Sequence, residues 1–476
     1  MGIPSYFSYV LKNHTKIIKR LSQTKCNELY IDANSIIYDV VHENTSNIYS
    51  DVFSKIMSII NKLNPEFTFV AFDGVAPLAK MKQQKQRRYK SWLTKQIIPS
   101  DSWNTNAITP GTDFMNGLDK YLAVKFKNES SIKFSGTNES GEGEHKIMDY
   151  MRLHNTNKNA MIYGLDADLI MLGLLHLSVN PNVYLYRETI HFSYLSQIDS
   201  REDYTFNMNE MAIQISEFLE MPKNDAIPNY CFLCFLFGND FLPHFASLNI
   251  RNNGIPYLMD IYKKTKLPLV NGTKIIWKNF KLLCIELSKQ ETERIVENVR
   301  WKSCIKTTPL NKTDELNILP LNDMGREIYL SKHIDKYNIL LFGQRDEKPC
   351  LNYLKMLEWT WNYYQGICKD HYICYEFNVA PLLSSIINYI PCFSEELITQ
   401  KNEPIPLAIS QLIYVLPYND FHLVPINTDS IVSKFPNLKE TDFNIHYDFC
   451  KFFWESHVEF NYLPFKELNK FCSLHA

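Results

Sequence analysis

The chain has 476 residues, 45% of them hydrophobic and 21% charged, with a formal net charge of −2 at neutral pH. That length suits two or three domains around a large core. The near-neutral balance excludes a globally basic binder of polyanions, so any nucleic-acid surface has to be a local concentration of charge.

Eleven cysteines are an odd number, and Cys231 and Cys234 form a lone CxxC inside an apolar run rather than a paired zinc spacing. Free thiols in a reducing compartment suit that pattern. The start Met-Gly-Ile-Pro-Ser-Tyr-Phe lacks a basic n-region and a long apolar core, and Tyr6 stands where a myristoylation signal needs Ser or Thr. No apolar run in the sequence approaches spanning length. A soluble, cytoplasmic protein with no membrane partner is expected.

In chain order, Glu28 to Asp32 reads as a short strand ending in a carboxylate, and Glu66 to Asp73 repeats the design before Gly74. Between them, Val52, Phe53, Ile56, Ile59, Ile60 and Leu63 recur at helical spacing, which makes a βαβ unit. Further strands are expected at 131–135, 160–166 and 182–187. Strands alternating with helices imply a mainly parallel sheet whose ligand crevice lies at the strands' carboxyl ends.

That rule gathers Asp32, Asp73, Asp166 and Asp168 along one sheet edge, and an extended segment would point Asp166 and Asp168 to the same face. Asp240 follows an apolar run in Gly238-Asn239-Asp240. Glu142 and Glu144, in Gly141-Glu142-Gly143-Glu144-His145, complete seven carboxylates. Residues two apart on a regular helix do not share a face, so Gly141 and Gly143 are expected to supply irregular backbone there. Any one of these acids is more ordinarily a turn residue or a helix-end charge. Seven together repel one another unless protonated or filled by a cation, and an oxygen-rich site suits Mg²⁺, with Mn²⁺ as a substitute.

The basic concentration is Lys80 to Lys95, which carries seven cations and no acid, Gly or Pro. As a helix it places Lys80, Gln84, Arg87 and Arg88 on one face. A solvated charged face is the ordinary reading of such a run. Its start seven residues after Asp73 favours another, in which the face grips one phosphate while metals act on its neighbour.

The motifs MGIPSYF, LYIDANS, AFDGVAPLAKMKQQKQRR, ITPGTDFM, FSGTNESGEGEHKIM, YGLDADLIMLGL and FLFGNDFLP, in that order, closely resemble the Xrn-type 5′→3′ exoribonucleases. The resemblance is dense over the first half. Leu357 to Gly366 and Val379 to Pro381 look like a second, weaker conserved region. It implies an α/β, PIN-like or 5′-nuclease core over residues 1–250, a connecting region over 251–350 of unassigned role, and a mostly helical second region over 351–476 packing on the core. It also implies removal of nucleotides one at a time from single-stranded RNA bearing a 5′ monophosphate. Matched residue by residue, the family's metal acids fall on the seven carboxylates and its 5′-phosphate pocket on Lys80, Gln84, Arg87 and Arg88.

Two ions are then expected, one among Asp32, Asp73, Glu142 and Glu144 and the other among Asp166, Asp168 and Asp240, with Glu144 able to bridge. His145 and His244 are expected in structural roles, Trp359 and Trp361 in the core, and Gly2-Ile3-Pro4 near the site. A monomer and a functional link to a decapping enzyme also follow from the resemblance.

The sequence departs from the family pattern at several positions. Tyr38 replaces a base-stacking His, and Ile373 falls where its partner Trp is expected, leaving Tyr38 and Tyr372 as stacking candidates. Leu78 stands in place of a common Arg, and the chain ends soon after the second region, as a short form would. Abundant Asn, Lys and Ile point to an A/T-rich genome such as that of a large DNA virus. Two other readings remain: a structure-specific flap endonuclease, which shares the acids but needs a helix-hairpin-helix absent after Asp240 in this sequence, and an inactive RNA-binding scaffold.

Overall fold

The structure is a computed structural model that describes residues 2–43, 47–98, 103–154, 156–164, 166–188, 199, 201–305, 337–343, 346–393, 396–399, 403–441, 443–447 and 449–475. Part of the connecting region, 306–336, therefore lies outside the described residues.

The strands are β1 (Ile18–Arg20), β2 (Glu28–Asp32), β3 (Phe67–Ala71), β4 (Ile132–Ser135), β5 (Ala160–Tyr163), β6 (Val183–Arg187) and β7 (Tyr204–Asn207). They form one sheet in the order β1-β7-β6-β5-β2-β3-β4. Neighbours from β6 to β4 are parallel, while β7 runs antiparallel to both β6 and β1. The parallel body follows the alternating pattern of the sequence. The antiparallel edge of β1 and β7 was not anticipated, because a three-residue and a four-residue strand give too little alternation to read.

Chain order reverses between β2 and β5: β3 and β4 build outward on one side, β6 on the other. A crevice opens at such a switch point, beyond the carboxyl ends of the strands. Side chains alternate across the sheet as the pleat requires. Tyr30, Phe69 and Ile162 enter one core, while Leu29, Ile31, Val70 and Tyr163 enter a second on the opposite face. Both faces are therefore covered, as a parallel sheet demands.

Helices α1 (Tyr6–Asn13), α2 (Asn34–His42), α3 (Ile48–Leu63), α4 (Leu78–Ile97), α5 (Asp113–Phe126), α6 (Gly143–Leu153), α7 (Asp168–His176), α8 (Met208–Leu219) and α9 (Lys223–Phe235) surround the sheet. Local chemistry sets several ends. Asn47 caps α3 by accepting from the Ser50 N–H at 3.3 Å, and Thr112 caps α5 by accepting from the Met115 N–H at 3.2 Å.

The first core continues without a break into α9 and the helix Glu347–Tyr364, so the boundaries expected at 250 and 350 do not divide separate cores. Trp359 and Trp361 are buried in it, their indole N–H groups donating to the Asp370 and Gly272 carbonyls. Cys231 and Cys234 are buried in α9. A third core joins Val75, Leu78 and Met81 to residues between Leu412 and Cys472, which anchors the start of α4 from the carboxyl-terminal side. Among the described residues no helix is long and apolar enough to cross a membrane.

Candidate metal centre and phosphate face

Five elements deliver the seven carboxylates to the switch point. Asp32 ends β2, and Asp73 follows β3. Glu142 immediately precedes α6 and Glu144 lies in its first turn, Asp166 and Asp168 flank the entry to α7, and Asp240 follows α9. The segment between the two α7 acids is not extended: Ala167 is already helical and Asp168 is the first helical residue. The turn into the helix, rather than strand alternation, is what brings both to the crevice.

Glu142 and Glu144 meet at the same place because Glu142 is still extended (φ −71°, ψ 149°) and Glu144 is not. Gly141 supplies the expected positive φ, at 102°. Gly143 does something else, since a Cβ there would stand 2.7 Å from Asp32 Oδ1. Its missing side chain is space for a carboxylate. Its backbone N–H donates to Asp73 Oδ1 at 2.7 Å, while the Asn34 amide donates to Asp73 Oδ2 at 2.7 Å. The amino terminus joins them: the Gly2 N–H donates to Asp240 Oδ1 at 3.2 Å, and a Cβ on Gly2, whose φ is 55°, would collide with Asp168 Oδ1.

The acids share one electrostatic field. Burial, then Asp73 and Asp166, pushes Asp32 well above its ordinary pKa. Burial and then Asp168 do the same to Glu144, and burial and then Asp240 push Asp168 up to about 7. Glu144 thus feels Asp168 more strongly than Glu142, its neighbour in sequence. Asp240 goes the other way. Burial would raise it, but the Lys80 ammonium holds it well below the usual carboxylate range.

Lys80 lies inside this cluster rather than beside it. Its Nζ is 2.5 Å from Glu142 Oε2 and 2.8 Å from Asp240 Oδ2, with the side chain only 13% exposed. Burial would lower its pKa, but Asp240, Glu142 and Glu144 outweigh burial and hold it well above its ordinary value. It is the internal counter-ion of the acids.

The rest of the α4 face divides by depth. Arg88 is buried, its guanidinium donating to Thr109 Oγ1 at 2.7 Å and to Gln84 Oε1 at 3.4 Å. Burial lowers its pKa to about 10, which leaves it charged at neutral pH. Gln84 is held in turn by Gln411, whose Nε2 donates to Gln84 Oε1 at 3.2 Å and whose Oε1 accepts from the Ala76 N–H. Arg87 is exposed and donates to the Tyr38 hydroxyl at 3.4 Å.

The two stacking candidates fare differently. Tyr38 is half-buried on α2 beside Arg87. Tyr372 corrects the sequence reading: it is 8% exposed within the third core, with its hydroxyl donating to the Pro404 carbonyl and accepting from Asn469. No ring face is left for a base. Leu78 packs in the same core, so an apolar cluster stands where an Arg was expected. Ile373 is half-buried against the first core.

Sequence reasoning missed Tyr363, whose hydroxyl donates to Glu142 Oε1 at 2.6 Å. Its ring lies 3.9 Å from His145, centroid to centroid, and stacks on Trp359. No local signal could link two residues 221 positions apart. His145 is buried and its pKa is lowered to about 3, by burial first and Lys80 next. That neutral ring, Glu142 and Glu144 each offer a ligand atom, all within 4.8 Å of one another.

Buried oxygens without a partner test whether a cation fits. Asp32 Oδ1, Glu144 Oε2 and Asp168 Oδ1 are such atoms, and unpaired buried carboxylate oxygens are costly unless a cation takes them. Hard oxygen donors from these acids suit a divalent ion of the Mg²⁺ or Mn²⁺ type.

A parallel-sheet crevice crowded with carboxylates, roofed by a cationic helix, is the class of site that handles a metal-bridged phosphate ester. Residues 1–189 match the family described as XRN 5′-3′ exonuclease N-terminus, and residues 221–314 match the Xrn1 helical domain. The chain thus carries the XRN N-terminal region followed by the Xrn1 helical region.

It is similar to 5′-3′ exoribonuclease 1 of Schizosaccharomyces pombe, 31% identical over 62% of this chain and 26% of that protein. The counterpart of Saccharomyces cerevisiae is 32% identical over 56% of this chain and 21% of that protein. The human one is 32% identical over 57% of this chain and 19% of that protein. The chain thus matches about a quarter or less of the length of these curated relatives. Among solved structures it is similar to the catalytic core of Rad2 in complex with DNA substrate, with a TM-score of 0.38 and 13% identity over 83% of this chain and 99% of that one.

Proposed function

We propose that this chain is a 5′→3′ exoribonuclease that degrades single-stranded RNA bearing a 5′ monophosphate to mononucleotides. The observation that carries the reading is the reach of Lys80 from the α4 face into the acid cluster, which couples a phosphate-binding surface to a hydrolytic site. Asp32, Asp73, Glu142, Glu144, Asp166, Asp168 and Asp240 would hold two Mg²⁺ ions, which supply a water of lowered pKa and charge compensation at the leaving oxygen.

The chain's own residues do the rest. Arg87 and Arg88 bind the terminal phosphate, by fork and by buried charge respectively. Gln84, fixed by Gln411, orients that phosphate. Tyr363 and Asn34 hold Glu142 and Asp73 in place. Because the phosphate face stands at a fixed distance from the acids, cleavage is counted from the chain end. Tyr38 is the stacking group that lies beside Arg87. A monomer acting in the cytoplasm on RNA left by a decapping enzyme completes the reading.

The test is decay of 3′-labelled RNA with a 5′ monophosphate, triphosphate or hydroxyl, beside a DNA flap. Mononucleotide release selective for the monophosphate supports the reading. Cleavage confined to the flap would replace it with the endonuclease alternative.

A further inference from the structure

A cavity of about 660 Å³ is lined by Asp240 and by none of the other six acids, together with residues of α4 and of the carboxyl-terminal segment. Its wall carries the cationic side chains Lys82, Arg87, Lys90, Arg251, Lys302 and Lys451 against two carboxylates, Asp240 and Glu455. Lys82 Nζ donates to the Tyr375 carbonyl at 2.6 Å and Lys90 Nζ to the Ser456 carbonyl at 2.9 Å. Those carbonyls hold the two ammonium groups in place on the wall. Trp301, Phe377 and Phe452 are half-buried on the same wall.

Positive charge with aromatic surface suits a ligand that joins an anionic group to a flat ring. The volume lies within the roughly 300–1,000 Å³ usual for small-molecule sites, which suits one nucleotide rather than a length of strand. Two residues tie the cavity to the chemistry: Asp240 belongs to the acid cluster, and Arg87 to the phosphate face. An enzyme that removes one unit per turn must clear that unit before the strand advances. A product with no second way out would have to back past the incoming strand.

We propose that this cavity binds the nucleoside 5′-monophosphate just released, with Lys82, Arg87 and Lys90 taking its phosphate and the aromatic wall its base. The proposal rests on the exoribonuclease reading. It adds a product site that shares only Asp240 with the acids and Arg87 with the phosphate face.

Calorimetric titration of the full chain with AMP, adenosine and inorganic phosphate tests it, alongside inhibition of RNA decay by AMP. Lys82→Gln combined with Lys90→Gln removes both charges while keeping a donor for each carbonyl. Ser91→Trp, at an exposed position on the wall, narrows the cavity instead. AMP should bind the unaltered chain more tightly than adenosine or phosphate. Its affinity should fall about tenfold or more in the double variant, the scale of lost charged hydrogen bonds, and should also fall in Ser91→Trp.

Equal AMP affinity in all three proteins, or no AMP binding, would overturn the proposal. A raised KM for RNA with AMP affinity unchanged would overturn it too, by showing that the cavity holds strand. Failure of the exoribonuclease reading would look different, as no decay of monophosphate RNA by the unaltered chain.

Discussion

The hydroxyl of Tyr363 donates to Glu142 Oε1 at 2.6 Å, so a helix from the second conserved region holds a carboxylate of the first. Tyr363→Phe keeps the ring between His145 and Trp359 and removes only that hydrogen bond. Outer partners of metal ligands are typically worth about 10–100-fold in metal affinity or activity. Tyr363→Phe should therefore raise the Mg²⁺ concentration for half-maximal RNA decay by about tenfold or more, with its urea midpoint nearly unchanged. An unaltered Mg²⁺ dependence would reduce Tyr363 to a packing residue.

Lys80 neutralises Glu142 and Asp240 within 2.8 Å of each. Removing one member of a buried charged cluster costs about 3–5 kcal/mol, since the remaining charges lose their compensation. In a chelator, Lys80→Met should unfold at markedly lower urea than the unaltered chain, and Mg²⁺ should recover more stability in the variant. Equal midpoints in the chelator would mean that the acids relieve their repulsion by taking up protons.

The pH dependence of metal stabilisation follows from the raised carboxyls. Asp168 rises to about 7 through burial and then Asp240, and Asp32 and Glu144 shift in the same direction. A carboxyl raised above its unfolded value near about 4 favours the fold at low pH, and that stability is lost as pH climbs through the folded value. A divalent ion replaces the missing protons. The rise in Tm on adding Mg²⁺ should therefore be larger at pH 7.5 than at pH 5. A rise independent of pH would place the ion elsewhere. Neutral His145 and His244, lowered to about 3 and about 4, contribute stability that fades as pH falls below their unfolded range. Both rings are neutral at pH 5 and at pH 7.5, so the difference between the two isolates the acids.

Gly2 should tolerate no side chain. Its φ is 55°, and a Cβ would collide with Asp168 Oδ1. Gly2→Val should cost RNA decay about tenfold or more, a misplacement effect on the site, while the fold is retained by circular dichroism. Full activity would show that the amino terminus can move away from the acids.

What could be read in advance, and what could not, divides along physical lines. Asp32 and Asp73 were legible because each closes a short, continuously apolar strand run, and the parallel-sheet rule then gave their common edge. Lys80, Gln84, Arg87 and Arg88 were legible as one helical face. Their depths were not, because burial of Arg88 depends on Thr109 and that of Gln84 on Gln411, distant in sequence. The space beneath Gly143 and the hydroxyl of Tyr363 depend on elements meeting in three dimensions. Tyr372 misled because proximity to a motif says nothing of which way a ring packs.

The most direct test of the central claim, that the α4 face reads the 5′ phosphate for the acids beside it, is one ratio. The decay rate of 5′-monophosphate RNA over that of 5′-hydroxyl RNA is measured for the unaltered chain and for Arg87→Ala, with Glu142→Gln as the inactive reference. The ratio should be high in the unaltered chain and collapse toward one in Arg87→Ala through loss of monophosphate decay, with no decay of either RNA in Glu142→Gln. An undiminished ratio in Arg87→Ala would contradict it.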